Sequence, residues 1–259
     1  MTQHLLTSPG RFRPTASRGA GLHLFRLGDV ALKVVRDPRR PLLHLLRVWS
    51  VVAPHLVEAA LHSERAVAQR AVALLHDSLT EVLAGRPETS HFHTHELFLR
   101  PFQHLMQLGC DDDIQDQVVS SIVELVEASA SCIQSGWGPL FSALRTIHAT
   151  RPEGQADHTA QGPLQMRWCF SLTGQPRAPV FDVFEAFLDT GSVQVFASAA
   201  VDCILCLIKF VQGLGDTDVK EAIPGPASSL NAPSSMELCL PALDYLRRCH
   251  EVSFSSLDY

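Results

Sequence analysis

His91, His93 and His95, followed by Glu96, form the densest set of potential metal ligands in the 259-residue chain. Zinc takes neutral imidazole and carboxylate donors in a tetrahedral set. On a strand every second side chain faces the same way, so HFHTHE would turn three imidazoles toward one ion. In the lead-in to a helix they do not converge, and no fourth ligand is marked. A polar pre-helix turn is therefore the plainer reading. Cys203 and Cys206 make a C-x-x-C, which serves redox chemistry when its first thiolate sits at a helix start after a strand. Here both lie inside the apolar run CILCLIKF, which predicts buried, inert thiols.

Other reactive patterns are missing from the sequence. There is no G-x-x-x-x-G-K-[ST] or G-x-G-x-x-G turn to wrap a phosphate, no G-x-S-x-G elbow and no H-E-x-x-H pair. The expectation is no catalytic residue, no cofactor and no metal. Trp49 falls on an apolar stripe and reads as core, and Trp137, between Gly136 and Gly138, reads as packing at a helix entry. Trp168 falls in a loop and stays open.

Composition narrows the class. With 46% hydrophobic and 19% charged residues the chain is an ordinary globular one. Its pI near 6.1 excludes a uniformly basic nucleic-acid binder, so nucleic acid is not expected as a partner. Of the net charge of −6, residues 1–47 hold nine basic and two acidic groups, a local +7 that leaves −13 elsewhere. A +7 segment attracts anionic membranes or acidic partners, which makes peripheral membrane contact one expectation. A solvated, disordered basic leader over 1–21 is the plainer one. MTQHLLTSPGRFRPTASRGAG is broken by Pro9, Gly10 and arginines, so it does not read as a secretory signal. The longest apolar run, CILCLIKFV, contains Lys209 and falls short of the ~20 residues of a membrane span. Seven cysteines without framework spacing point to a reducing, cytoplasmic setting.

The elements that would position all of this are helices. Leu42, Leu45, Leu46, Trp49, Val52, Leu56 and Ala60 step by three and four, predicting a helix near 42–61. Val67, Ala71, Val72, Leu75, Leu79 and Leu83 predict a second, stopped by Gly85 and Pro87. Thr94 is placed to cap a third, with Leu97, Phe98, Phe102, Leu105 and Leu108 as its stripe. The acidic trio Asp111, Asp112 and Asp113 opens a fourth, and Pro139 to Ile147 marks a short fifth. Residues 151–178, with three prolines and three glycines, read as a long irregular loop. Helices resume at VFDVFEAFL and VQVFASAAVDCILCLIKFVQGL, then follow a loop at 223–235 and a last helix around Leu238–Glu251.

Three segments share one shape, AVAQRAVALLHDSL, DIQDQVVSSIVELV and SVQVFASAAVDCIL. Their β-branched starts, Val67, Ile114 and Val193, are 47 and 79 residues apart, and 51 remain of the second gap once the 28-residue loop is removed. Helical repeats of the HEAT and armadillo type run ~40–47 residues, each a pair that must bury its stripe on the next. The fold expected is thus all-α, a HEAT/armadillo-like α-solenoid of three to four helix pairs with one long irregular loop. Its parts would be a leader at 1–21, helical repeats over 22–150, the 151–178 loop, and further repeats over 179–259.

Residues 99–148 carry something more specific. LRPFQHLM, DIQDQVVSSIVELV and IQSGWGPLFSALRTIH follow one another in an order that resembles the helical region downstream of the Sec7 domain in large Arf guanine-nucleotide exchange factors of the brefeldin A-inhibited family. Arg100, Pro101, Phe102, Ser135, Gly136, Trp137 and Phe141 occupy that family's motif positions, and the resemblance implies structural roles for them. Further blocks at 41–67, 178–188 and 238–249 are similar to a divergent vertebrate branch, so the likeness covers roughly Leu22 to Cys249. The ending HEVSFSSLDY departs from it and reads as a truncation or an alternative tail.

The resemblance implies a non-catalytic scaffold or regulatory segment of such a factor. Its setting would be vesicle-mediated transport, with protein partners, a bearing on Arf GTPases through the full-length factor, and a cytoplasmic or peripheral Golgi and vesicle location. Exchange itself belongs to the Sec7 domain, whose active loop resembles F-R-L-P-G-E. FRLGDVAL at 25–32 lacks the proline and has Asp29 in place of the glutamate, so it does not read as a catalytic loop. The alternative from another class is an independent helical-repeat adaptor that binds partner proteins without any link to Arf.

Overall fold

The computed structural model describes residues 17–89, 92–147, 179–212 and 235–255. Nine α-helices make up most of them: α1 (Ser17–Arg36), α2 (Leu42–Ala60), α3 (Arg65–Gly85), α4 (Thr94–Gln107), α5 (Asp112–Ser129), α6 (Trp137–Arg145), α7 (Val180–Leu188), α8 (Val193–Gln212) and α9 (Ser235–Ser255). There is no strand among the described residues. The loops expected at 151–178 and over most of 223–235 lie outside them.

Local chemistry accounts for the boundaries. Asp112 and Asp113 sit in the first turn of α5, where carboxylates favour the positive end of the helix dipole. Gly109 follows the end of α4 with φ +73°, a left-handed conformation that glycine adopts without a Cβ penalty. The polar cap expected of Thr94 is not made by it. Thr94 is the first helical residue, and other groups satisfy the exposed N–H groups there.

The helices alternate between two layers. The odd-numbered ones pack in sequence, α1 on α3, α3 on α5, α5 on α7 and α7 on α9. The even-numbered ones do the same, α2 on α4, α4 on α6 and α6 on α8. Contacts of α2 with α3 and of α8 with α9 join the layers. This is the stacked arrangement of helix pairs that the HEAT and armadillo pattern requires, and no pair buries its stripe without its neighbour. The buried side chains form one continuous core running from Ala31 in α1 to Cys249 in α9.

Layer membership corrects the repeat register. Val67 and Ile114 begin neighbouring odd helices, but Val193 begins α8, an even one. The counterpart of α5 in the odd layer is α7. Sequence shape misled because both layers bury apolar stripes of the same period. The first helix also begins inside the stretch read as a leader, at Ser17.

Two helices exceed the expectation drawn from apolar runs. By length and composition α2 and α8, at mean hydropathy 1.2 and 1.9, would be long and apolar enough to cross a membrane. In the stack each buries one face and leaves the other exposed. Leu45 and Leu56 of α2, and Cys206 and Leu207 of α8, are fully enclosed.

The layers differ in what holds them. Among the described residues the ion pairs that join different helices all belong to the odd layer: Arg36 with Glu81, Arg65 with Asp113, His76 with Glu124, and Arg248 with Glu185 and Asp189. The even layer is joined by side-chain packing and by the Gln103 amide donating to Ser142 Oγ at 3.0 Å.

Candidate functional site

Helix α4 carries the L-R-P-F string and divides it between two environments. Phe98, Leu99, Phe102 and Leu105 are fully buried, with the Phe98 ring 5.6 Å from that of Trp49 on α2. Arg100 points outward and pairs with Glu96 one turn back. Pro101 is buried and has no N–H to give the Leu97 carbonyl, so the helix loses one backbone bond at the exposed edge of the string. Leu97 and Leu108, expected in the buried stripe, are 42% and 62% exposed. Phe98, Phe102 and Leu105 are buried as expected, and Leu99 and Met106 complete the stripe in place of Leu97 and Leu108.

The start of α4 is capped from a distance. The Glu88 carboxylate accepts from the His95 backbone N–H at 2.8 Å, and from the Ser135 N–H and hydroxyl at 2.8 and 2.6 Å. Ser135 Oγ in turn accepts from the Glu96 N–H at 2.9 Å. Two N–H groups that the helix cannot satisfy internally are thus held by a residue before it and one after α5. Burial works to raise the Glu88 carboxyl, but the Ser135 and His95 hydrogen bonds outweigh it and hold the pKa below the usual carboxylate value. Glu88 was missed in the sequence because a lone acid in a non-periodic connection carries no pattern. Ser135 was found only through the family string.

Gly136, Trp137 and Phe141 pack inside. A Cβ on Gly136 would collide with Leu99 Cδ1, so this position needs the smallest residue to let α6 lie on α4. The Trp137 ring stands 5.8 Å from Phe141 and 5.2 Å from Phe187, and Phe141 stands 5.0 Å from Phe187 edge-on. Phe141 also stacks 5.2 Å from Phe184, which ties α6 to α7. Centroid separations of this size are those of favourable aromatic pairs.

The face of the even layer carries two depressions. An apolar depression of about 740 Å³ lies between α2 and α4, bounded by Trp49, Val57, Leu61, Leu97, Pro101 and Leu108. A polar one of about 500 Å³ follows across α4, α6 and α8, bounded by Gln103, Ser135, Ser142, Arg145, Ser198 and Asp202. Arg100, His104 and Gln107 border both, so the two flank α4 as one groove that this helix interrupts. Its chemistry is that of recognition, an apolar half beside a half rich in hydroxyl, amide and guanidinium groups. Arg100, Pro101 and Ser135 of the family positions border it, whereas Phe102, Gly136, Trp137 and Phe141 support it from within.

The other candidates are dispersed. His95 is buried, and its Nε2–H donates to the Arg86 carbonyl at 3.0 Å, while His93 is exposed. His91 lies outside the described residues. Among the described residues no group of three or more His, Cys, Asp and Glu side chains is placed to hold a metal ion. Cys203 and Cys206 are both fully buried. Burial pushes the Cys206 thiol up, well above the usual range. FRLGDVAL lies within α1, where a Cβ on Gly28 would collide with Leu74.

A family model described as "Mon2/Sec7/BIG1-like, HDS" matches residues 84–161, the span that contains α4, α5 and α6. The chain is 54% identical over 248 residues, 95% of its length, to brefeldin A-inhibited guanine nucleotide-exchange protein 3 of Homo sapiens, and 53% identical over 251 residues to that of Mus musculus. Over 110 residues, 41% of the chain, it is 31% identical to brefeldin A-inhibited guanine nucleotide-exchange protein 1 of Rattus norvegicus. It spans 11% of the length of the human and mouse relatives and 6% of the rat one. No solved structure matches.

Proposed function

The chain belongs to the brefeldin A-inhibited guanine nucleotide-exchange protein family, and on that premise we propose that it acts as a non-catalytic helical-repeat segment of an Arf exchange factor. Its work is binding. The observation that carries this reading is the 54% identity to a relative named for nucleotide exchange, kept over 95% of a chain built as a stack of helices. A stack of this kind offers an extended surface rather than a reaction pocket. The even-layer groove is the face assigned to protein contact, with partner side chains on Leu61, Leu97 and Leu108 and hydrogen bonds reaching Arg100 and Ser142. The segment would influence Arf GTPases through the exchange factor that contains it. Its setting would be the cytoplasm and the surfaces of Golgi and secretory vesicle membranes, in vesicle-mediated transport.

The test is nucleotide release from an Arf GTPase loaded with fluorescent GDP. The chain alone should leave the release rate unchanged. Added to brefeldin A-inhibited guanine nucleotide-exchange protein 1 of Rattus norvegicus, it should change the release rate that this protein gives, and Leu97→Asp with Arg100→Glu should abolish the change. Acceleration by the chain alone at catalytic concentration would refute the non-catalytic reading. No effect on that exchange protein's rate would refute the regulatory one.

A further inference from the structure

Two thiols separated by 46 residues meet between α8 and α9. Cys203 Sγ and Cys249 Sγ lie 4.0 Å apart, with both residues enclosed at 0% and 1% exposure. The partner of Cys203 is therefore not Cys206 of the C-x-x-C but a cysteine on the next helix, in the other layer. We propose that Cys203 and Cys249 are a modification site at which a small hydroperoxide forms a reversible disulfide that fastens α9 to α8.

The geometry is close to what the bond needs. A disulfide holds its sulfurs about 2.05 Å apart, so each sulfur has to move by roughly 1 Å. The two thiols also divide the chemistry. The hydrogen bond between the two sulfurs, in which either is placed to donate, acts with Arg248 to favour the Cys249 thiolate over the opposing effect of burial. The same hydrogen bond, together with burial, pushes the Cys203 thiol far up. Cys249 is thus the sulfur that reacts first, and Cys203 is the one that resolves it.

Atoms and electrons balance with one peroxide. The Cys249 thiolate attacks a peroxide oxygen, the O–O bond breaks, and hydroxide leaves and is protonated to water, giving the sulfenic acid. Cys203 sulfur then attacks the sulfenic sulfur, loses its proton, and expels a second water as the S–S bond forms. Two thiols lose two electrons in all and one hydrogen peroxide is reduced to two waters. A dithiol reductant reverses the bond by exchange. Access requires a local opening of α9 from α7 and α8, on which it packs.

The experiment treats the folded chain with hydrogen peroxide at sub-millimolar concentration, quenches it, and maps peptides without reduction. A cross-linked peptide containing Cys203 and Cys249 is expected. The cross-link should raise Tm by about 5 °C or more, because it closes a long loop in the unfolded chain, and dithiothreitol should reverse the rise. Cys249→Ser should abolish both, and Cys206→Ser should leave both in place. Oxidation confined to the exposed Cys132 or to Cys110 and Cys239, with Cys203 and Cys249 recovered as free thiols, would overturn the proposal. So would a cross-link between Cys203 and Cys206. The mapping is done on the unmutated chain, so a variant that fails to fold does not affect the result.

Discussion

The Ser135 hydroxyl stands between a carboxylate and a backbone amide, donating to Glu88 at 2.6 Å while accepting from the Glu96 N–H at 2.9 Å. It thereby links the segment after α5 to the start of α4, two places 39 residues apart. Removing it leaves a part-buried N–H and a part-buried carboxylate each short of a partner. Ser135→Ala should destabilise the fold by about 1–3 kcal/mol, as loss of a hydrogen-bonded group at a partly closed site does. Urea unfolding of the two proteins measures it.

The same relationship fixes a pH dependence. Glu88 has a folded pKa below its ordinary 4.5, so the stability it contributes is fully present above 4.5. That contribution is lost as pH falls through the depressed folded value, since the unfolded carboxyl binds its proton first. Unfolding midpoints recorded downward from pH 6 should therefore decline below about 4.5, and Glu88→Gln should flatten that part of the curve. An identical slope in Glu88→Gln would assign the acid sensitivity elsewhere.

Gly136 and Gly85 make a matched pair for packing. A Cβ at Gly136 would enter the space of Leu99, itself fully buried and unable to turn away, whereas one at Gly85 meets nothing within 4 Å. Gly136→Ala should cost about 1–3 kcal/mol through overpacking. Gly85→Ala, at the end of α3, should be neutral or slightly stabilising. Thermal unfolding of both variants decides it, and equal behaviour would mean that α6 has slack against α4.

Much of this architecture is legible from side-chain period. The stripes of α2 and α3 are read directly from apolar residues at three- and four-residue steps, because each of these helices buries one face. Pattern fails where two helices compete for the same kind of residue. Leu97 and Leu108 are apolar at the right spacing yet exposed, and only the neighbouring α2 shows that they border a groove. The layer of α8 is similarly invisible, since stripe period is the same on both sides of the stack. Glu88 escapes for another reason: its partners come from segments distant in sequence, and nothing local records them. For the family positions, Trp137 and Phe141 are understood from packing alone, whereas Arg100 acquires meaning only when α6 and α8 complete the wall beside it.

The imidazole cluster gives a prediction about metal. His95 donates through Nε2 to the Arg86 carbonyl and is 1% exposed, so recruiting it to a cation means breaking that bond and unburying the ring. Arg86 also holds the end of α1, donating to the Arg40 and Asp37 carbonyls at 2.9 and 2.7 Å. Metal capture would therefore loosen the junction of three helices. The untagged chain should contain well under one zinc per molecule by elemental analysis, and EDTA should leave its Tm unchanged. Stoichiometric zinc, lost together with stability on chelation, would revive the site.

The joint between α6 and α7 rests on rings rather than on charge. Trp137 is fully buried and lies 5.2 Å from Phe187, which in turn stands 5.7 Å from Phe196 on α8. Trp137→Ala should cost about 3–5 kcal/mol, the transfer of a large aromatic plus the cavity it leaves. Phe187→Leu, which keeps most of the volume but loses the ring, should cost less. Aromatic pairs are worth about 0.5–1.5 kcal/mol beyond the area they bury. The double variant should therefore fall short of the sum of the singles by an amount of that order, measured by a cycle of urea unfolding curves. Strict additivity would mean that α7 is held by Phe184 and Phe181 against Phe210 and Tyr245 instead, and that Trp137 serves only α6.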